Sequence, residues 1–532
     1  MQEFIAKHQD KIAGTLSGFD RLVFRGHLRS ISHPQGMMSY LWTNQILLKN
    51  FGDHAENITE RLKEASLAEA RAGGRPVKYL NSSHIDKETI ARDILAQDGV
   101  RAGLVCVLSC LEPCWKFEIH RNRQTKKLEL QLRSGKCLFL YHYQIHPVFG
   151  FLNARIQTWF PFSIQICLNG REWLARQMQA AGLEYLQQDN CFPYIANWTQ
   201  AQRLMDRQLK TKWPKLLNGI ARQLNPVHGE IFRKHPISYY WSTYQHEWAL
   251  DVAFHHAADL RHFYPRWVNH AMTTFSSPDV MRFLGKHTTV SGQLHQNFSG
   301  EVVSDFKRRA EGVRVKHSVN GNSVKLYDKA YTAKGSVLRA EATIHNGDDF
   351  RVYRRKEGDR NGPRAWRPLR RGIADLHRRA KISHKAAERY LDAFATVDDF
   401  TTLDQLLERL EQPRQWHGRR VRALRPLAED RALLSAINHG EFTINGFRNR
   451  DLRALFFPKT TDDQHEIRRR SAWISRKLRL LRAHALITKI HGTHRYQLTS
   501  TGRKTIVAIL SALRSTVAQL TPVTAQLTAL AA

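Results

Sequence analysis

Five residues in one short stretch carry side chains that could act together on a phosphate. In VKLYDK, Lys325, Tyr327 and Asp328 follow closely on one another, and in LRAE, Arg339 and Glu341 stand two apart. A tyrosine becomes a nucleophile once its phenol is deprotonated, and neighbouring cations would stabilise both the phenolate and the charge that builds up on an attacked phosphate. A carboxylate such as Glu341 could hold Mg2+ or Mn2+, or accept a proton. The competing reading is a solvated sheet face with cross-strand Lys–Glu and Arg–Glu pairs, or a phosphate-binding face without catalysis.

These side chains converge only if their strands pair and face the same way. EGVRVKHSVNGNSVKLYDK alternates on both sides of Asn320-Gly321, the dipeptide favoured in tight hairpin turns. VLRAEATI, residues 337–344, is a natural third strand. Side chains alternate along a strand, so Val313, Val315, Val319, Val324, Leu326, Leu338, Ala340 and Ile344 form a buried face. Arg314, Lys316, Lys325, Tyr327, Lys329, Arg339 and Glu341 then share the opposite face. YDK followed by R-x-E is similar to a strand pair of the rolling-circle replication initiators of plasmids and filamentous phages. That resemblance implies a tyrosine that cleaves DNA through a phosphotyrosine link beside acidic metal ligands. It places Tyr327, Asp328, Lys329, Arg339 and Glu341 in or beside the site. Many such proteins use a His-x-His metal pair, and none of the 27 histidines here lie two apart; Tyr327 can equally serve a structural role, so the nucleophile stays unassigned.

A second acidic reading brings Asp20, Glu118 and Asp189 together as in two-metal nucleases. Asp20 could equally bond to a turn or pair with Arg25. The C-x3-C-x3-C run at Cys106, Cys110 and Cys114 reads as buried residues ending a strand, and His142 and His146 as satisfied strand histidines. No G-x-x-x-x-G-K-[ST], H-E-x-x-H or paired C-x2-C occurs, so neither a nucleotide, nor an organic cofactor, nor a standard zinc site is expected.

Residues 430–520 carry the most ordered pattern. DRALLSAINHG and GFRNRDLRALFF read as helices, followed by a longer helix in DQHEIRRRSAWISRKLRLLRAHALI. Its Ile474, Leu478, Leu481 and Ala485 recur on one face, and Arg468, Arg469, Arg470, Arg476, Lys477, Arg479 and Arg482 on the other. ITKIHGTHRYQLTSTGRK then reads as a hairpin turning at Gly492 and a final helix. The order resembles a winged helix-turn-helix domain, which implies a third helix in the DNA groove and a wing on the backbone. Arg476, Lys477 and Arg479 would make the groove or phosphate contacts, and Lys489, His494 and Arg495 the wing contacts.

Between Arg351 and Lys381, twelve Lys and Arg outweigh three acids, Glu357, Asp359 and Asp375. Arg354, Arg355, Arg370 and Arg371 there, with Arg314 and Lys316 on the sheet, are expected phosphate contacts. The whole chain of 532 residues has 82 Lys and Arg against 48 Asp and Glu, a formal +34. At 24% charged and 42% hydrophobic it is globular, so this charge lies on folded surfaces and attracts polyanions. Nucleic acid is the expected partner, DNA ahead of RNA. No apolar run reaches the ~18 residues of a membrane span, and the start has no secretory-signal pattern, so a cytoplasmic location is expected.

The expected fold is α+β and multidomain. It comprises a mixed α/β domain over 1–200, a helical aromatic-rich region over 201–300 and a β-meander over 301–345. A basic helical connector over 346–425 and a winged helix-turn-helix over 430–520 complete it. Within the first domain, a long helix runs from Met37 to about Ala72 and stops at Gly73-Gly74. The last dozen residues read as frayed.

Overall fold

Eleven strands of the chain form one sheet in the computed structural model, which describes residues 1–275, 277–285, 301–309, 312–347, 350–356, 359, 361–397, 401–439, 442, 446–459 and 461–516. In chain order the first are β1 (Ile12–His27), β2 (Val77–Leu80), β3 (Gly103–Arg121), β4 (Leu128–His146), β5 (Gly150–Gln157) and β6 (Ile164–Asn169). After a separate hairpin of β7 (Tyr185–Gln188) and β8 (Cys191–Ile195) come β9 (Tyr240–Phe254), β10 (Val303–Arg309), β11 (Gly312–Val319), β12 (Asn322–Thr332) and β13 (Gly335–Thr343). The sheet order is β10-β11-β12-β13-β9-β1-β6-β5-β4-β3-β2. The pairing of β2 with β3 is parallel, and the others described are antiparallel.

Three segments expected as separate units therefore share one sheet. What joins them is β9, a strand within a region expected to be helical. Trp248, Leu250, Val252 and Phe254 alternate at the two-residue period of a strand, and aromatic side chains suit a pleated surface. Ala249, Asp251 and Ala253 between them are buried as well, so the strand is covered on both faces. That double burial removes the polar alternation that makes a strand visible in sequence. Helix does follow at Ala257–Thr274. Residues 286–300 of the expected helical region, Glu357 of the connector and the tail 521–532 lie outside the described residues.

The hairpin of β11 and β12 forms as expected. Asn320 and Gly321 take φ of 49° and 77°, the pair of positive values that a type I′ turn requires and that these two residue types tolerate. Val315, Val319, Val324, Leu326, Leu338, Ala340 and Ile344 sit in one buried cluster with Trp267 and Tyr390. The polar face opposite is also shielded: Arg314, Tyr327, Arg339 and Glu341 are all buried.

Two helical expectations change. The stretch from Met37 to Ala72 divides into Pro34–Thr43 and Phe51–Ala72, separated by Gln45 at φ 58° and a single turn at Leu48–Asn50. The basic connector is partly core: helix Leu376–Ala393 places Ile382, Ala386, Tyr390 and Leu391 against the β9–β13 side of the sheet. Part of its charge is paired internally at Asp375, which is fully buried and takes bonds from Arg370 and Arg378.

Residues 431–512 contain helices Arg431–Ile437, Asn449–Phe456 and Gln464–Ala483, a short hairpin of Ile487–Lys489 with Tyr496–Leu498, and helix Ser500–Ala512. Leu434, Leu452, Ile474, Leu478, Leu481 and Ile506 form their common core. Ala485 is not on the helix face as expected; it lies beyond the helix end at φ 56°, and Leu480 is buried within the helix. No described helix is long and apolar enough to cross a membrane.

Candidate metal-binding site

The neighbouring strands β1, β9 and β13 bring three carboxylates together. On β1, Phe19 pairs with Trp248 and Leu22 with His246, so Asp20 and Arg21 both stand opposite Glu247 alone. The extra residue is a β-bulge, which re-aims a side chain out of the regular alternation. On β13, Glu341 is opposite Ala249, two residues from Glu247 on the same face of β9. Asp20, Glu247 and Glu341 each offer an oxygen, and the three oxygens lie within 4.8 Å of one another.

A ring of donors fixes them. Arg339 Nη1 donates to Asp20 Oδ2 at 2.9 Å, and Asn190 Nδ2, in the β7–β8 turn, to Asp20 Oδ1 at 2.9 Å. Arg339 also grips Asp251 of β9 through Nε at 2.6 Å and Nη2 at 2.9 Å, and Nη2 bonds the Asn190 carbonyl at 2.7 Å. Arg171 reaches Asp251 Oδ2 at 3.0 Å and the Ala249 carbonyl at 3.1 Å. It comes from the first turn of helix Gly170–Ala180, capped by the Asn169 side chain on the amides of Arg171 and Glu172. The helix can start there because position 170 is glycine: a Cβ would stand 2.1 Å from the Phe19 carbonyl. Lys325 of β12 completes the ring, with Nζ on Glu341 Oε1 and 3.5 Å from Glu247 Oε1.

The electrostatics follow from burial and charge. Burial and the neighbouring Glu341 push the Glu247 carboxyl up to about 7. Burial raises Asp20 too, more than Arg339 lowers it. At Glu341 burial acts in the same direction but is outweighed by Lys325 and Arg339, which leave its carboxyl below the usual value. Close carboxylates that resist joint ionisation are a donor set suited to a hard divalent cation such as Mg2+ or Mn2+.

Of the residues expected at the site, Glu341 is in the cluster and Lys325 and Arg339 bind it directly. Tyr327 is 7% exposed, and burial followed by Glu341 raises its phenol, although Lys325 and Arg314 pull it down. Asp328 is elsewhere: it accepts from the Val313 amide and from the Tyr331 hydroxyl at 2.8 Å, because its place on β12 turns it away from Tyr327. Asp20 joins Glu247 and Glu341 rather than Glu118 and Asp189. Glu118 pairs with Lys116 on β3, and Asp189 is exposed in the β7–β8 turn. Nor does Asp20 pair with Arg25, which stacks on Tyr244. Glu247, Asp251, Asn190 and Arg171 were not anticipated. The Trp-x-Leu-x-Val-x-Phe alternation of β9 was the available signal for Glu247 and Asp251.

The expected phosphate contacts divide into two groups. Arg468, Arg476, Arg479, Lys489 and His494 are exposed and have no side-chain partner among the described residues, and Arg469 is exposed in a surface pair with Glu466. Arg355 and Arg371 are exposed as well, and Lys316 is half-buried. The others are held by the fold. Arg314 pairs with Asp305 at 2.6 Å; Arg354 is buried on the carbonyls of Arg355 and Pro368; Arg370 pairs with Asp375. Arg470 lies on Glu466 and the Phe457 ring, Lys477 bonds buried Asp430 at 2.8 Å, and Arg495 covers the Tyr353 ring.

Comparison of the chain with known protein families, with curated proteins and with solved structures finds no match.

Proposed function

We propose that the protein binds nucleic acid, DNA ahead of RNA, and that Asp20, Glu247 and Glu341 hold Mg2+ or Mn2+ to cleave a phosphodiester bond. The observation that carries this reading is the convergence of three carboxylates within 4.8 Å in a chain of formal charge +34. The ion would polarise a phosphoryl oxygen and lower the pKa of a bound water. Hydrolysis there would form one phosphorus–oxygen bond from water and break the bond to the leaving ribose oxygen, the proton given up by the water balancing the one taken up by the departing oxygen. Buried Tyr327 with its raised phenol is less suited to attack than water, so a phosphotyrosine link is the second reading, favoured by its proximity to Lys325 and Glu341.

The helix–helix–helix–hairpin order over 431–498 supports a winged helix-turn-helix that docks duplex DNA through Arg476 and Arg479 of helix Gln464–Ala483. Together these features suit a nicking protein of a plasmid or mobile element, similar to a replication initiator. The alternative is a non-catalytic RNA-binding partner in a ribonucleoprotein, or a DNA-binding regulator.

The test incubates supercoiled plasmid with the protein and Mn2+ or Mg2+, with and without chelator. Metal-dependent conversion to open circles, lost in Glu341→Gln and kept in Tyr327→Phe, supports hydrolysis. Loss in Tyr327→Phe together with a protein–DNA covalent adduct shifts the reading to phosphotyrosine. Absence of cleavage, with a discrete RNA copurifying, favours the ribonucleoprotein.

A further inference from the structure

We propose that Lys325 is the resident counter-cation of the acidic cluster, and that a divalent ion binding there displaces its ammonium. This rests on reading Asp20, Glu247 and Glu341 as a metal site, and it adds how that site is kept without metal and what metal loading must overcome.

The placement of Nζ is the first support. It bonds Glu341 Oε1 and stands 3.5 Å from Glu247 Oε1, so it lies against two of the three carboxylates that would ligate the ion. Its side chain is 11% exposed and arrives from β12, where Lys325 pairs directly with Glu341 of β13. An ammonium against those carboxylates and a divalent cation bound to them repel each other, and in a poorly hydrated site that repulsion is only weakly screened.

The second support is the contrast with the other shielded cations. Four carboxylates, Asp20, Glu247, Asp251 and Glu341, face Arg171, Arg339 and Lys325. Both arginines are tied to Asp251 and to backbone carbonyls, of Ala249 and Asn190 respectively, so each is fixed whether or not the cluster is filled. Lys325 bonds only the two glutamates among the described residues. A point charge on a flexible four-carbon stem can leave where a forked guanidinium cannot. The protein thus holds two cations for structure and one that lies against two of the three carboxylates a metal would use.

Titration of the full-length protein with MnCl2 by calorimetry tests this. Lys325→Met removes the competitor while keeping the side chain's length, and Mn2+ should bind about tenfold or more tightly than to wild type, since one favourable charge pairing no longer has to be broken. Lys325→Arg, which keeps a charge that cannot easily withdraw, should bind Mn2+ no better than wild type and serves if the Met variant does not fold. Equal or weaker binding by folded Lys325→Met overturns the proposal, as does tighter binding by Lys325→Arg. Failure of the metal-site reading looks different: wild type, Lys325→Met and Glu341→Gln would all show no Mn2+ binding, and the proposal would fall with it.

Discussion

Arg339 Nη1 meets Asp20 Oδ2 at 2.9 Å, reaching from β13 across β9 to β1. On the way it takes both oxygens of Asp251, so a single guanidinium ties three adjacent strands together. It is 1% exposed, which places it under the acidic cluster and not on a surface offered to DNA. Its role is to orient Asp20 and to offset part of the rise that burial imposes on its carboxyl.

Replacing Arg339 with methionine leaves Asp20 and Asp251 buried with a partner removed. Breaking a buried pair in this way costs about 3–5 kcal/mol, and Arg339→Lys should recover only part of it because an ammonium cannot reproduce the fork. Urea denaturation of the two variants against wild type measures this. A loss under ~1 kcal/mol in Arg339→Met would mean that the network contributes little.

Glu341→Gln should abolish metal-dependent cleavage and leave affinity for nucleic acid nearly unchanged. A measurement independent of activity accompanies it. Mn2+ at about 100 times its Kd should stabilise wild type by ~2.7 kcal/mol in thermal unfolding, and the glutamine variant by far less. Equal stabilisation of both proteins would remove Glu341 from the ligand set.

Neighbouring cations on helix Gln464–Ala483 should behave oppositely. Arg476→Ala combined with Arg479→Ala should weaken duplex binding and reduce the slope of log affinity against log salt by about two, with stability unchanged. Lys477→Ala should do the reverse, because its ammonium lies on Asp430, which is fully buried and whose carboxyl is held at about 2. For that residue a stability loss of ~1–3 kcal/mol is expected, with the salt slope little changed.

Acid sensitivity should be traceable to His317. Its ring is fully buried between Phe275 and Tyr390, with Ser304 Oγ 2.7 Å from Nδ1, and burial lowers its pKa to about 4 from a reference value of 6.5. The folded state therefore favours the neutral ring. This contribution is complete above pH 6.5 and is lost as pH falls from there toward 4, at up to about 1.4 kcal/mol per pH unit. Chemical denaturation of wild type and His317→Asn across that window should show a shallower slope in the variant; parallel slopes would assign the sensitivity to other groups.

Much of the hairpin half of the site was legible in sequence because one of its faces is apolar. Alternating valines, an Asn-Gly turn and the two-residue period of a strand put Lys325, Tyr327, Arg339 and Glu341 on one face. Asp328 was misplaced because adjacency to Tyr327 in sequence means opposite faces on a strand. Glu247 and Asp251 were hidden by the double burial of β9, whose small and apolar residues on both faces leave little contrast. Asp20 was visible as a residue of interest, but its partners were not. They are set by a bulge and by strand order, and neither leaves a local trace in the chain.

The order of strands has a consequence for biosynthesis. β1 precedes the other strands of the sheet in the chain, and its neighbour β9 and next neighbour β13 are translated more than two hundred and three hundred residues after it. Until then Asp20 has no guanidinium to meet, and the edge of β1 that β9 will cover waits unpaired. Long-range pairing of this kind is slow and leaves partly made sheets exposed to aggregation. Chains truncated before Gly335 would therefore be expected to depend on chaperones, and a nascent polypeptide could not assemble the acidic cluster while still short of Glu341.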